Sequence, residues 1–165
     1  MQAALNIIHS KNHNDISTYL ISYGSKFAKH KIEIFYSLEC GLSREFIQND
    51  LLNIFELLES NVVAQIILYP AALDKMTLCF AKEIRCLNNL QKLENLINQC
   101  QGARNLKDFH KMDTLLLEEV SFDIEKILEM HSEITETLML KINGEVLTDV
   151  PSIHAIQERL GKENH

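Results

Sequence analysis

The sequence predicts an all-α fold, a single-domain bundle of five to seven helices. Only five glycines and two prolines occur in 165 residues, whereas all-β folds need turn residues at every chain reversal. Hydrophobic residues make up 46% of the chain, which is enough for a core. They recur at intervals of three and four residues, the spacing that places side chains on one face of a helix. We therefore predict one helical domain over residues 1–165, with frayed ends at 1–14 and 161–165.

The first half of the chain is predicted to form two amphipathic helices and a shorter apolar one. Asp15 is a suitable N-cap, and Gly41 is typical of the position just beyond a helix C-terminus. Ser43 is then expected to cap a second helix that fades near residue 60. The apolar run 62–69 fits a buried strand or a buried helix, and we favour a helix because no partner strand is evident. The stripe of the first helix comprises Ile16, Tyr19, Leu20, Tyr23, Phe27, Ile34, Phe35 and Leu38.

Two long antiparallel helices are expected to form the spine of the bundle. The first extends from about Ala71 to Cys100 and is ended by Gly102. The second starts at Asn105 and reaches His131 or beyond. Their apolar stripes are expected to supply the central core, including Phe80, Leu87, Phe109, Leu116 and Ile127.

The pair Asn143-Gly144 allows two interpretations. A glycine just beyond a helix C-terminus would make it the end of the second long helix, which we favour. Asn-Gly is also the preferred two-residue turn of a β-hairpin, and short apolar segments flank it on both sides. One small β-hairpin near Asn143-Gly144 is thus compatible with the bundle. A short last helix opens at Pro151 or Ser152 and stops at Gly161.

Charge and cysteine content restrict where the chain acts and what it binds. Its formal net charge is −7, which disfavours nucleic-acid binding because an acidic surface repels phosphates. The basic cluster from Lys26 to Lys31 is short and contains no arginine. No apolar run is long enough to cross a bilayer and no signal peptide is evident, so no membrane is predicted. The four cysteines lack CxxC spacing and indicate free thiols, so we expect a cytoplasmic protein.

No catalytic, cofactor-binding or metal-binding site is predicted, and an enzyme is not the preferred interpretation. A reactive thiol needs an electropositive, partly exposed setting, whereas the cysteines lie in apolar stretches. His9 and His13 are four residues apart, as metal ligands on one helix face would be. His131 lies on an apolar stripe, which is more typical of a core histidine than of a ligand. The alternative function is therefore a metal- or cofactor-binding helical protein or enzyme that uses His9, His13, His110 or His131. A nucleic-acid-associated regulator is the second alternative.

The favoured function is protein–protein interaction, as an adaptor, a chaperone or a regulator that sequesters its partner. The segment from Asn105 to Leu140 carries nine acidic side chains and three lysines. An acidic, partly apolar helix can dock a partner with a basic surface and speed its association. The predicted partner-binding residues are Glu118, Glu125, Glu129 and Glu133. Alternatively, these glutamates pair inside the bundle with Lys75, Lys82, Arg85 and Lys92. The oligomeric state stays open, a homodimer included.

Overall fold

The computed structural model describes residues 15–59, 64–101, 117–147 and 152–162. Within these ranges the chain forms a five-stranded sheet with helices packed against it, so the prediction of an all-α bundle is wrong. In chain order the elements are a 3₁₀ turn (Ile16–Tyr19), β1 (Ile21–Tyr23), β2 (His30–Tyr36), α1 (Gly41–Asn49), α2 (Leu51–Glu59), β3 (Ala64–Pro70), α3 (Lys75–Ile84), α4 (Asn89–Gln101), α5 (Glu118–Met130), β4 (Met139–Ile142), β5 (Glu145–Leu147) and α6 (Ile153–Lys162).

The sheet is mixed, with the strand order β1-β3-β2-β4-β5. β2 and β3 are parallel neighbours. Parallel strands need a crossover connection, and here α1 and α2 form it between β2 and β3. The other neighbours, β1 with β3, β4 with β2 and β5 with β4, are antiparallel. The carboxyl ends of β2 and β3 therefore meet at one end of the sheet, and the segment that enters β4 arrives at the same end.

The helical prediction for residues 16–38 fails because of how β2 is buried. Every residue of β2 except Lys31 is buried. A strand buried on both faces reads as a nearly continuous apolar run, so Ile34, Phe35 and Leu38 fall at helix-like spacing without forming a helix. The prediction of a helix for the run 62–69 is wrong for the same reason. This run contains most of the strand Ala64–Pro70.

The interpretation of Asn143-Gly144 as a helix end is also wrong, and the alternative is confirmed. The two residues form the turn between β4 and β5, with φ angles of +53° and +84°. Both angles lie in the left-handed region that a two-residue hairpin turn requires. Asn143 also joins the turn to β2, because its side-chain oxygen accepts a hydrogen bond from the Lys31 N–H at 2.8 Å.

The predicted long helix from Ala71 to Cys100 is two helices, α3 and α4. Asp74 caps α3, accepting a hydrogen bond from the Thr77 N–H at 2.9 Å. The second helix has its own start, where Asn88 accepts from the Gln91 N–H at 2.9 Å and the Gln91 side chain accepts from the Asn88 N–H at 3.2 Å. This reciprocal pair is a helix-start signal, and it divides an apolar stripe that periodicity alone makes continuous.

Of the helix predicted to start at Asn105, the structure describes the part from residue 117 onward. α5 ends at Met130, and His131 is its C-cap. The predicted start at Asn105 lies outside the described residues. The segment that follows α5 leads into β4, so the chain returns to the sheet instead of continuing as a helix.

Two apolar clusters lie on opposite faces of the sheet. The larger one packs α1, α2, α4 and α6 against one face, and the smaller one packs α5 and the 3₁₀ turn against the other. α3 contributes to both clusters. Among the predicted core residues, Phe80 and Ile127 are buried and Leu87 is half-buried against the larger cluster, whereas Phe109 and Leu116 lie outside the described residues.

Within the four described ranges, no helix is both long enough and apolar enough to cross a bilayer. The organisation of residues 1–165 as one domain stays a prediction.

Candidate functional site

Cys40 follows β2 at its carboxyl end and is the N-cap of α1. The helix begins at the next residue, so Gly41, Leu42 and Ser43 form its first turn. The first N–H groups of a helix have no carbonyl partner within it, and the aligned peptide dipoles place partial positive charge there. A thiolate is stabilised in this position, which is typical of reactive cysteines.

Thr137 approaches the same thiol from a distant part of the chain. Its carbonyl oxygen accepts a hydrogen bond from the Cys40 thiol, with an Sγ–O distance of 3.4 Å. Thr137 belongs to residues 132–138, which connect α5 to β4 and are called the Thr137 segment below. The peptide bond between Thr137 and Leu138 is cis. The segment and the start of α1 both lie next to Cys40.

The surroundings of Cys40 favour its ionised form. Burial by itself raises the pKa of the Cys40 thiol. Hydrogen bonds from the backbone and side chain of Ser43, from the side chain of Thr137 and from the backbone of Leu42 outweigh burial, so the pKa lies below the ordinary cysteine value. The side chain remains partly accessible. Cys40 therefore has the lowered pKa and the access to solvent that nucleophilic thiols need.

Ser43 stands where a CxxC motif would have its second cysteine. It is fully buried, and its hydroxyl oxygen accepts a hydrogen bond from the Ser37 N–H at 3.2 Å. The same side chain is among the groups that lower the pKa of Cys40. A hydroxyl cannot form a disulfide, so this site contains one thiol and no partner thiol at the CxxC position.

The turn before Cys40 is held rigidly by the start of α3. The Ser37 hydroxyl donates to Asp74 at 2.8 Å, and the Leu38 N–H donates to the Thr77 hydroxyl at 2.9 Å. Thr77 is fully buried, and its hydroxyl also bonds to Asp74. These bonds fix the position of Cys40 relative to the carboxyl ends of both central strands.

The other three cysteines lie in different settings. Cys79 and Cys100 are buried, Cys86 is exposed, and all four cysteines are free thiols. Burial raises the pKa of Cys79, as expected of a thiol in an apolar environment. Beside Cys40, by contrast, the Leu42 side chain is 60% exposed, which offers an apolar contact next to the reactive atom.

The predicted histidine sites are not assembled by the described part of the chain. His9, His13 and His110 lie outside the described residues. His131 packs its ring against Phe35 and Tyr69, with centroid distances of 5.0 and 4.8 Å. Among residues 15–59, 64–101, 117–147 and 152–162, no group of three or more His, Cys, Asp or Glu side chains is arranged to hold a metal ion.

The four predicted partner-binding glutamates are all exposed. Glu118, Glu125 and Glu129 lie on α5, whereas Glu133 lies in the Thr137 segment and forms an ion pair with Lys141. Glu118 and Glu125 border an apolar groove of about 400 Å³ between α3 and α5. Its apolar walls come from Leu73, Leu78, Leu117 and Phe122.

Two of the basic residues considered as internal partners have other contacts. Lys92 is buried, and its ammonium group donates to the backbone oxygens of Thr18 and Leu20 at 2.6 and 3.0 Å. Arg85 lies 3.9 Å from Glu119, which is not among the four predicted glutamates.

Solved structures of low sequence identity share this architecture, although no protein-family model and no curated protein sequence matches the chain. A protein-disulfide isomerase from Novosphingobium aromaticivorans has a TM-score of 0.68 at 10% identity, covering 87% of this chain and 96% of that one. Chlamydia trachomatis DsbA has a TM-score of 0.66 at 12% identity, covering 88% and 91%. A periplasmic thioredoxin-like protein from Salmonella enterica serovar Typhimurium has a TM-score of 0.63 at 14% identity, covering 96% of each chain. The fold is thioredoxin-like, of the DsbA type.

These similarities correct the functional prediction. The prediction of an adaptor, a chaperone or a sequestering regulator depends on an acidic helical bundle. Because the chain forms a sheet with helices packed against it, that prediction is wrong. Its fold is shared with a protein-disulfide isomerase and a DsbA. The broader prediction that the partner is a protein agrees with a neighbour that is a protein-disulfide isomerase. A basic partner surface and a homodimer stay predictions.

The prediction of a cytoplasmic location is corrected too. It rests on unpaired cysteines, which are rare in oxidising compartments unless they react. Cys40 at a helix N-terminus is a reactive-thiol arrangement, and a periplasmic protein shares the fold. Free cysteines in this chain therefore do not indicate the cytosol.

Sequence reasoning missed Cys40, Ser43 and Thr137. The search for CxxC spacing fails because Ser43 replaces the second cysteine, and Gly41 resembles a helix end when the preceding strand is taken for a helix. The signal that was present is a buried apolar strand followed by Cys-x-x-Ser and an amphipathic helix. Nothing local marks Thr137, which reaches Cys40 only through the pairing of β4 with β2.

Proposed function

We propose that this chain performs thiol–disulfide exchange with protein substrates, using Cys40 as a single reactive thiol. The observation that carries the proposal is the position of Cys40 at the N-terminus of α1, partly accessible, hydrogen-bonded and with a lowered pKa. The thioredoxin-like fold supports it, since Cys-x-x-Cys after a strand of a βαβ unit is the redox motif of that fold.

In the proposed reaction the Cys40 thiolate attacks one sulfur of a substrate disulfide. A bond forms between Cys40 and that sulfur, the substrate S–S bond breaks, and the other substrate sulfur leaves as a thiolate. A second thiolate, from another substrate cysteine or from a small thiol such as glutathione, then attacks the mixed disulfide and releases Cys40. Because Ser43 cannot supply that second thiol, the chain reshuffles disulfides instead of storing an oxidising disulfide of its own.

Alkylation and exchange at Cys40 test this proposal. We expect iodoacetamide to modify Cys40 severalfold faster than the exposed Cys86 at pH 7, because the thiolate is the reacting form. Incubation with glutathione disulfide should add one glutathione to Cys40, detected by peptide mass mapping. Cys40→Ser should abolish the adduct, and the control Cys86→Ser should retain it. Faster reaction of Cys86, or an adduct that survives in Cys40→Ser, would contradict the proposal.

The reaction belongs in an oxidising compartment such as the periplasm, where substrate disulfides persist. The periplasmic Salmonella protein of the same fold supports this location.

We further propose that the substrate has a basic surface that docks on Glu118, Glu125 and Glu129 of α5. These carboxylates are exposed, and the chain has a net charge of −7, so a cationic substrate is attracted over about a Debye length. Changing all three to Gln should slow mixed-disulfide formation with a lysine-rich, cysteine-containing peptide disulfide by about three- to tenfold at low salt. Stopped-flow kinetics at low and high salt measure the effect.

A matched control removes the same charge elsewhere. Glu56, Glu94 and Glu158 are exposed glutamates on α2, α4 and α6, which pack against the opposite sheet face. Changing these three to Gln should slow mixed-disulfide formation less than the triple change on α5 does. Equal slowing in the two triple variants would show that net charge, and not a docking surface on α5, attracts the peptide.

A further inference from the structure

The Thr137 segment is exposed at most of its positions and is anchored in the core at two of them, Ile134 and Leu138. Ser132, Glu133, Thr135 and Glu136 are exposed. Ile134 is buried, and its N–H donates to the His131 carbonyl oxygen at 2.9 Å. The segment nevertheless places Thr137 in hydrogen-bond contact with Cys40. Ile134 packs in the smaller apolar cluster and Leu138 in the larger one, so the position of the segment depends on these two side chains and on how its start, at the end of α5, is attached to the sheet.

Lys141 of β4 makes that attachment. Its side chain is buried, with 6% of it exposed, and its ammonium group forms an ion pair with Glu133. The same nitrogen lies 2.9 Å from Nδ1 of His131. The Lys141 ammonium group thus contacts both His131, the last residue before the Thr137 segment, and Glu133, a residue within it. A buried ammonium group is costly without such partners, so both contacts are maintained together.

The surroundings keep His131 in place for this contact. Phe35 and Tyr69 stack with their ring centroids 4.7 Å apart, and the His131 ring packs against both. The Tyr69 hydroxyl donates to Glu33 at 2.6 Å. Glu33 and Lys141 are directly opposite each other on β2 and β4. The His131 imidazole therefore contacts the rings of Phe35 and Tyr69 and the Lys141 ammonium group.

We propose that Lys141 is a positioning residue for Cys40: by holding His131 and Glu133, it fixes the Thr137 segment against the thiol. This inference rests on the proposed function of Cys40, but it concerns a cluster on the sheet face opposite α1. Lys141 does not touch the reacting atoms and acts through the segment.

The contact between Lys141 and His131 requires a neutral imidazole that accepts at Nδ1. Burial, and secondly the charge of Lys141, lower the pKa of His131 below the ordinary histidine value. The contact is therefore intact at neutral pH and is lost as the pH falls through the folded-state pKa. The charged and titratable groups around the imidazole are Lys31 and Glu33 of β2, Tyr69 of β3, Lys141 of β4, Glu133 of the segment and Asp15 beside the 3₁₀ turn.

The test follows the ionisation of Cys40 in a Cys86→Ser background, by thiolate absorbance and by iodoacetamide alkylation between pH 5 and 9. Lys141→Met removes the ammonium group and keeps the length of the side chain. Because the side chain of Thr137 is among the groups that lower the pKa of Cys40, a released segment should raise the midpoint of its ionisation and slow alkylation at pH 7 severalfold. Lys141→Arg, which restores a cation, should recover much of the rate. Arg159→Met, which breaks the Arg159–Glu145 ion pair, is the control and should leave the midpoint unchanged.

Thermal melts of each variant separate positioning from unfolding. An unchanged midpoint and rate in folded Lys141→Met would overturn the inference and leave Lys141 a purely structural residue. If Lys141→Met does not fold, Glu133→Gln, at an exposed side chain, decides by the same criterion. An unreactive Cys40 in the Cys86→Ser background with no other change would instead overturn the proposed function, and this inference with it.

Discussion

Replacing Ser43 with cysteine is expected to convert the single thiol of this site into a dithiol that closes an intramolecular disulfide. Ser43 lies in the first turn of α1, three residues after Cys40, and its side chain is among the groups that lower the pKa of Cys40, so a sulfur atom in its place would lie beside that of Cys40. It would attack any mixed disulfide on Cys40, releasing the substrate thiol and forming a disulfide between Cys40 and the introduced cysteine. We expect release on the order of 10³-fold faster than with 1 mM external thiol, because well-placed intramolecular groups reach very high effective concentrations.

Rapid-quench mass spectrometry of the glutathione adduct measures this release. The unmodified chain should accumulate the adduct, whereas Ser43→Cys should show the intramolecular disulfide instead. Ser25→Cys is the control, since Ser25 precedes β2 and Cys40 follows it, and a seven-residue strand spans about 20 Å. If Ser43→Cys accumulates the adduct as the unmodified chain does, the two side chains are not juxtaposed as the structure has them.

Truncating Phe80 to alanine is expected to lower the free energy of unfolding by roughly 3–5 kcal/mol, as deletion of a buried aromatic ring does. Phe80 is fully buried, with 0% of its surface exposed. It belongs to the larger apolar cluster, which packs the helices against one sheet face. The cavity left by the ring cannot be filled without moving a helix or a strand.

Phe122→Ala provides the matched comparison, because it removes the same ring from a surface position. Phe122 is 55% exposed on α5, with the Lys126 ammonium group 4.5 Å from its centroid. That contact contributes about 0.5–1 kcal/mol, so the loss of stability should stay below about 1–2 kcal/mol. Urea denaturation of both variants measures the difference. Equal losses would mean that Phe80 is not in the core of the folded chain.

Several local features could be predicted from the sequence because their physical cause is local. The Asn-Gly pair favours a tight turn through its left-handed backbone angles, and the structure has that turn at Asn143-Gly144. Phe80 and Ile127, placed in the core by helical spacing, are buried. Each depends only on residues within a few positions.

The strands and the reactive site could not be predicted in this way. A run such as residues 32–36 has the same apolar character in a buried strand and in a buried helix, and only neighbouring strands decide between them. Lys141 and Glu133 likewise read as solvated charges, although the sheet buries Lys141 beside Glu133 and His131.

By itself the sequence determined the hairpin turn, the acidic face of α5 and the presence of four cysteines, whereas two of its predicted helix stops, Gly41 and Gly161, lie inside α1 and α6. The tertiary structure alone decided which cysteine has a lowered pKa and partial exposure. The pKa of Cys40 is lowered by Ser43 and Leu42 at the start of α1 and by the side chain of Thr137, which lies 97 positions away in the sequence. Parallel pairing of β2 with β3 and antiparallel pairing of β4 with β2 bring these groups together. The reactivity of a thiol depends on nearby hydrogen bonds and dipoles, and those neighbours exist only after the sheet has formed.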